Sequence, residues 1–509
     1  MAAVGARGLA APRSLLRRCS LMTRRHLSLS LCVFTFTAAC GDDKGGDTDD
    51  GGTASTGVDS AASEPTTGEE PTGGTAGEST AGESTAGETG EDGNFGGCGL
   101  PPYAMLDAAD MGEVLDHEMV VEFDAETING LLESQGFGML VPVEHGARVY
   151  KIRYITQDRG EAVEATAFVS FPMLAAPEER PVIMYAHGTT GFSDKCAPTA
   201  DPMGFAVPMI LAALGYVAVA PDYIGMNGWG DPAASLHPYI VPEPTAIASL
   251  DSLRALARFA ADSGEAVPAT PGADIVLFGI SEGGFATLWA DRYAPFYAPE
   301  FKISANVASV PPTDAFALTA HGTTVFGPTT GALAAAVVGG HMWHRLETPL
   351  SEVLSDDPAF DVSVELPKMM AETCDIAIPD TITKTNQVYQ QAFIDALAAD
   401  DVDALGEVGC ILERATLRTS KIPLEVATPT LVVLGEADDL VYTPVVRVDL
   451  PKLCDAGYVI DHFECAGAGH VEAATDSIPF VLNWVEARLE GAAISEPCVI
   501  HEAVDCSML

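Results

Sequence analysis

From Ala147 to Leu489, short runs of apolar, β-favouring residues alternate with longer stretches of helical periodicity, and this alternation restricts the fold more than any other feature. "ARVYKIRYIT" and "VEATAFVSFP" alternate in polarity and predict an opening antiparallel pair. After them "PVIMYAHG", "YVAVAPDY", "DIVLFGI", "ISANVASV", "TLVVLGEAD" and "YVIDHFECAG" read as strands. Helices are expected at Phe205 to Leu214, Thr245 to Ala261, after Ser281, and at Ile478 to Leu489. Continuous apolar strands need cover on both faces. The expected fold class is therefore α/β, a mostly parallel, doubly wound sheet with helices on both faces. In such sheets reactive groups collect at the carboxyl ends of the strands.

One strand end carries chemistry. In "DIVLFGISEGGFATLWA" the apolar run Ile275 to Phe278 breaks at Ser281, between Gly279 and Gly283, and Phe285, Leu288 and Trp289 then recur at helical spacing. A serine on so sharp a strand-to-helix turn presents its Oγ to substrate, while the two glycines let strand and helix approach closely. A serine hydroxyl needs a base to take its proton, and the base needs a third group to hold it. At later strand ends, in the order acid then histidine, come Asp438 in "LVVLGEADD" and His470 in "CAGAGH". Asp439 is the alternative acid. An attacked acyl carbonyl also needs N–H donors for its oxyanion, each contributing about 2.7–4 kcal/mol in the transition state. The candidates are the backbone N–H of Glu282, directly after the serine, and that of Thr189 in "HGTTG".

Taken together these segments resemble the α/β-hydrolase superfamily, and more narrowly the fungal secretory lipases and their bacterial relatives. The resemblance rests on "HGTTG" followed by "CAP" at Cys196, "APDYIG" with a later "HPY" at His237, "LDSLRALA" from Leu250, "GISEGG", and "GEADDLV" before "GAGH", and it covers most of Val182 to His470. Ile280 stands where tyrosine is commonest in the family. The resemblance implies a carboxylic-ester hydrolase acting on neutral esters through an acyl-enzyme on Ser281, with Asp438 and His470 and without metal or organic cofactor. A related exported serine aminopeptidase or acyltransferase, or a non-catalytic surface lipoprotein, are the other readings. Dehalogenases and epoxide hydrolases are excluded, because they place an aspartate where Ser281 stands.

The connection from Val310 to Thr430 is far longer than an ordinary loop. "FGPTTGALAAAVVGG" and "NQVYQQAFIDALAADDVDALGEVGC" predict a helical cap at about 312–428, inserted before the acid-bearing strand, where the resembled lipases carry a lid. His341 and His344 in "HMWH" have one of the spacings a metal uses, but without further ligands nearby no metal site is expected. His237 and His321 read as polar packing residues.

The first part of the chain is of another kind. Arg24, Arg25 and His26 precede an apolar run closed by "TAAC", which reads as a secretory signal over residues 1–40 with Met22 as an alternative start. The terminal Cys40 resembles the lipidated cysteine of a bacterial lipoprotein, with Thr37 in place of the usual leucine; an ordinary signal peptide is the alternative. Residues 41–97, rich in Gly, Thr, Ser, Asp and Glu with tandem "TAGES", have too few apolar residues to fold and read as an acidic tether. The hydrolase domain is then 98–509, exported and held to a membrane through Cys40. With 72 acidic against 26 basic residues and a net charge of −46, nucleic acid is not an expected partner. Of the cysteines, eight lie from Cys98 onward, an even number that suits disulfides in an exported protein. Cys498–Cys506 and Cys374–Cys410 are the pairings expected here.

Overall fold

The computed structural model describes residue 100 and residues 103–135, 142–375 and 378–506. Cys40, the leader, the tether and Cys98 lie outside them. Among the described residues nine strands form one sheet: β1 (Val114–Phe123), β2 (Gly146–Asp158), β3 (Glu161–Met173), β4 (Glu179–Ala186), β5 (Val217–Pro221), β6 (Thr270–Ile280), β7 (Lys302–Ser309), β8 (Pro429–Gly435) and β9 (Val459–Cys465). Their spatial order is β1-β2-β3-β5-β4-β6-β7-β8-β9. The expected antiparallel pair is β2 with β3, in register Tyr150 to Val169. From β5 to β9 every neighbouring pair is parallel.

Alternate residues of the central strands feed two hydrophobic layers, as the two-residue period of a strand requires. Val182, Met184, Ile275 and Leu277 face helices α3 (Pro242–Asp262) and α4 (Glu282–Tyr297). Ile183, Tyr185, Val276 and Phe278 face α2 (Ala206–Ala213) and α12 (Ile478–Leu489). Helix α3 is buried on nearly its whole circumference, which explains its weak one-faced periodicity. Its polar residues are buried with partners: Asp251 accepts from Thr156 Oγ1 at 2.6 Å, Tyr297 OH at 2.9 Å and Arg254 Nη1 at 2.6 Å.

Two elements before β2 were not expected from the sequence: β1 and helix α1 (Ala125–Ser134). No residue of β1 is fully buried, so its residues show neither the alternation nor the apolar run that marks a strand. Between β7 and β8 stand α5 (Ala315–Thr324), α6 (Pro328–His344), α7 (Val362–Glu372), α8 (Gln391–Ala398) and α9 (Val402–Arg414), a helical insert where the cap was expected. Helices α10 (Thr443–Asp455) and α11 (His470–Asp476) follow β8 and β9.

Both expected disulfides are wrong. The bonds are Cys196–Cys374, Cys454–Cys498 and Cys465–Cys506. Cys410 is also disulfide-bonded, but not to Cys374. The C-terminal segment runs out along β9: Cys498 N–H donates to Ile460 and Ala466 N–H donates to Val504. Eight extended residues span about 26 Å, so Cys498 and Cys506 meet different partners along that edge. Sequence proximity misled because the chain does not turn back there.

Candidate active site

The turn between β6 and α4 is built by close approach. A Cβ on Gly279 would lie 2.0 Å from the Gly283 carbonyl oxygen, and one on Gly283 would lie 1.9 Å from that of Ala186. Ser281 itself has φ 59° and ψ −119°, a positive φ that a side-chain-bearing residue adopts only when its surroundings enforce it. Its N–H donates to Ser309 on the neighbouring strand at 2.8 Å.

Two further strand ends bring up the partners. The loop after β8 and the loop after β9 are joined by the backbone bonds Glu436 N to Cys465 O (3.0 Å) and Ala437 N to Ala468 O (2.8 Å). A Cβ on Gly435 would strike the Gly469 and Ala468 carbonyls, so glycine is needed for that contact. His470 then begins α11, with Nε2 at 2.8 Å from Ser281 Oγ and Nδ1 at 2.6 Å from Asp438 Oδ2. Asp438 Oδ1 accepts from the N–H groups of Leu440 at 2.9 Å and Val441 at 3.0 Å. A carboxylate facing Nδ1 keeps the proton there, so that the Nε2 lone pair faces the serine. Asp439, by contrast, is exposed.

Thr189 and Glu282 border the same cavity as Ser281 and His470. Glu282 is the first residue of α4, where N–H groups have no partner within the helix. The "HGTTG" loop lies against the nucleophile turn: a Cβ on Gly188 would sit 3.3 Å from the Ile280 carbonyl and 3.6 Å from Ser281 Cβ. Thr189 Oγ1 donates to Tyr239 OH at 3.1 Å. His187 is buried, with its pKa lowered to about 4 by desolvation, and Nδ1 donates to the Gly188 carbonyl at 2.7 Å.

The cavity, of about 250 Å³, is largely apolar, with Ile240, Leu318, Ala332, Leu333, Val441 and Val471 in its wall. Leu318, Ala332 and Leu333 come from α5 and α6 of the insert, and Cys374, after α7, stands at its edge. Two acidic side chains are among its described residues, exposed Asp375 and buried Glu282. The Glu282 carboxylate is taken up by His237, Oε1 to Nε2 at 2.5 Å. That contact is missed by a reading of His237 as mere packing. The signal lay in Glu282 itself, since a carboxylate at a buried helix start needs a partner. His321 stacks on Tyr442 with centroids 3.7 Å apart. In the "HMWH" pair, His341 Nε2 bonds the Thr348 carbonyl at 2.6 Å, and burial lowers the pKa of His344 to about 4. Among the described residues no cluster of three or more His, Cys, Asp or Glu is arranged to hold a metal ion.

Ser281, Asp438 and His470 after β6, β8 and β9 of a mostly parallel sheet, with the serine on a strained strand-to-helix turn, have the arrangement of the α/β-hydrolase fold. The profile of the secretory lipase family matches residues 203–496, more than half of the chain, and the chain belongs to that family. Lipase 2 of Candida albicans is 25% identical over 290 residues, covering 56% of this chain and 57% of that protein, so the chain spans less than two thirds of that relative's length. A Mycobacterium tuberculosis protein named "Probable inactive lipase" is 25% identical over 356 residues, covering 66% of this chain and 72% of its own length. Among solved structures, the rice cell wall degrading esterase LipA from Xanthomonas oryzae superposes with a TM-score of 0.61 at 17% identity, covering 75% of this chain and all of that one. A secretory family and three disulfides among the described cysteines place the protein among exported ones.

Proposed function

We propose that the protein is a serine carboxylic-ester hydrolase, an esterase or lipase for neutral esters. The observation that carries this is the continuous hydrogen-bonded chain Ser281 Oγ, His470 Nε2, His470 Nδ1, Asp438 Oδ2, of which Ser281 and His470 line a largely apolar cavity. His470 removes the Ser281 proton as Oγ attacks the acyl carbon, and Asp438 holds the imidazole and stabilises its cation. The oxyanion forms against the N–H groups of Glu282 and Thr189. As it collapses, His470 returns the proton to the leaving alcohol, and an acyl ester remains on Ser281. Water, deprotonated by His470, repeats the attack, and the carboxylic acid and the free serine are released.

The apolar wall supplied by α5 and α6 suits an acyl chain, and the insert serves as a cap that limits access. An aminopeptidase would need free carboxylates to bind a substrate amine; Glu282 is engaged by His237, and exposed Asp375 is the acidic side chain that remains among the described residues of an otherwise largely apolar wall. One relative's name raises a non-catalytic reading; the intact hydrogen-bonded chain at Ser281 speaks against it here. The lipid anchor at Cys40 and the acidic tether of residues 41–97 belong to the same proposal, with the body held at a membrane surface.

Nitrophenyl esters from acetate to palmitate, assayed with and without chelator, test the reading. Turnover is expected to be indifferent to chelator. Ser281→Ala and His470→Ala each lose about 10⁴-fold or more in kcat, and the double variant loses little more, because the members act as a unit. Asp438→Asn is comparably damaged and Asp439→Asn is mild. Full activity in Ser281→Ala contradicts the mechanism, and cleavage of aminoacyl nitroanilides in place of esters moves the assignment to a peptidase.

A further inference from the structure

The tripeptide His237-Pro238-Tyr239 lies between β5 and α3, outside the reacting triad, and it is bonded to both candidate oxyanion residues. His237 Nε2 meets Glu282 Oε1 at 2.5 Å, and Tyr239 OH accepts from Thr189 Oγ1 at 3.1 Å. The backbone N–H of His237 also donates to the carbonyl of Phe192, just after "HGTTG", at 2.9 Å. The tripeptide itself is fixed. The His237 ring is fully buried, stacked on Tyr223 at 5.2 Å and 22°, with Nδ1 at 3.0 Å from the Ile224 carbonyl. Tyr223 OH donates in turn to the His187 carbonyl at 2.7 Å. Gly225 permits this approach, since a Cβ there would lie 2.4 Å from His237 N. Ile240, the next residue, has φ 56°, a genuine outlier for a β-branched side chain.

The chemistry of the pair matters as much as its place. The Ile224 carbonyl can only accept, so Nδ1 carries a proton. One further proton lies between Nε2 and the carboxylate. Whichever atom holds it, the pair is net neutral. Without His237, a buried carboxylate would stand on the residue whose N–H must receive a developing negative charge, where repulsion is weakly screened.

We propose that His237 and Tyr239 are positioning residues that set the spacing of the Glu282 and Thr189 N–H groups and cancel the Glu282 charge beside the oxyanion. This rests on the esterase reading above. Its effect is confined to the transition state, so kcat falls while KM stays.

The test uses the full exported protein with nitrophenyl butyrate, and the affinity of a trifluoromethyl ketone that forms a tetrahedral adduct on serine. Glu282→Ala and Tyr239→Phe are each expected to lower kcat about 10- to 100-fold with KM within about twofold, and to weaken the ketone by a similar factor. His237→Leu, which leaves the carboxylate unpaired, is expected to be the most damaged. Adding Glu282→Gln to it should recover part of the loss in kcat and in ketone affinity; recovery of the urea midpoint without recovery of kcat would show a merely structural role and overturn the proposal. Glu282→Gln alone keeps an acceptor for Nε2 and should be milder than Glu282→Ala. If Glu282→Ala does not fold, Tyr239→Phe and the His237→Leu rescue decide. Folded variants with unchanged kcat, or with raised KM alone, overturn the proposal while leaving the esterase reading intact. An unaltered protein without ester turnover overturns the esterase reading itself.

Discussion

At Ser281 the backbone stores strain of order 1–3 kcal/mol, and the packing of Gly279 and Gly283 against backbone carbonyls holds it in place. Substitution there should cost far more than at a glycine that differs only in φ. Gly264, at φ 79° with nothing within 4 Å of a Cβ, isolates the conformational term. Gly264→Ala is expected to lower the unfolding free energy by about 1 kcal/mol, and Gly283→Ala by several times that or enough to abolish folding. Equal shifts of the urea midpoint would show that close approach at the nucleophile turn is unimportant. A second residue-scale prediction concerns acid. Burial lowers the pKa of His344 to about 4, below its value in the unfolded chain. Between about pH 6.5 and pH 4 the unfolded state therefore binds the extra proton, and the stability associated with neutral His344 is lost as pH falls through that window. The stability of the unaltered protein minus that of His344→Gln should decline across it, measured by urea unfolding. Parallel profiles would contradict the assignment.

At the scale of elements, the site is where β4, β6, β8 and β9 end and where the insert closes over them. Cys196–Cys374 ties the segment after "HGTTG" to the segment after α7, so body and insert are joined across a sequence separation of 178. The insert prediction is made at Leu333 on α6, in the cavity wall. Leu333→Trp should reduce kcat/KM for long nitrophenyl esters about tenfold or more relative to acetate, since bulk in an apolar pocket discriminates by size. An unaltered chain-length profile in a folded variant would remove α6 from the acyl pocket. The mostly parallel sheet was legible because runs such as Ile275–Phe278 and Leu431–Leu434 are continuously apolar, and Ser281, Asp438 and His470 stood out because each follows such a run or its neighbour in the order acid then histidine; the spatial order of the strands was not legible. Strand β1 was not, for it lies exposed at the sheet's edge. Nor were the disulfides, which depend on how the C-terminal segment runs along β9, or the His237–Glu282 contact, which joins residues 45 apart in sequence.

Taken whole, the molecule is an acidic, exported member of the secretory lipase family with its candidate site between residues 187 and 470 and a long acidic stretch ahead of it. The proposed anchor predicts that Cys40→Ala moves active enzyme from the membrane to the soluble fraction, since stable attachment needs acyl chains that only a lipidated cysteine carries. An unaltered protein already soluble after export would dismiss the anchor without touching the catalysis. The central claim, that one serine on this fold performs acyl transfer, is tested most directly by mass. A fluorophosphonate reacts covalently with a serine only where a base activates it and donors receive the phosphonyl oxygen. Intact-mass and peptide analysis of the full chain should find one adduct per molecule, on the peptide containing Ser281, appearing at the rate at which ester hydrolysis is lost. An adduct on another residue, or undiminished hydrolysis after Ser281 is fully modified, would contradict the account.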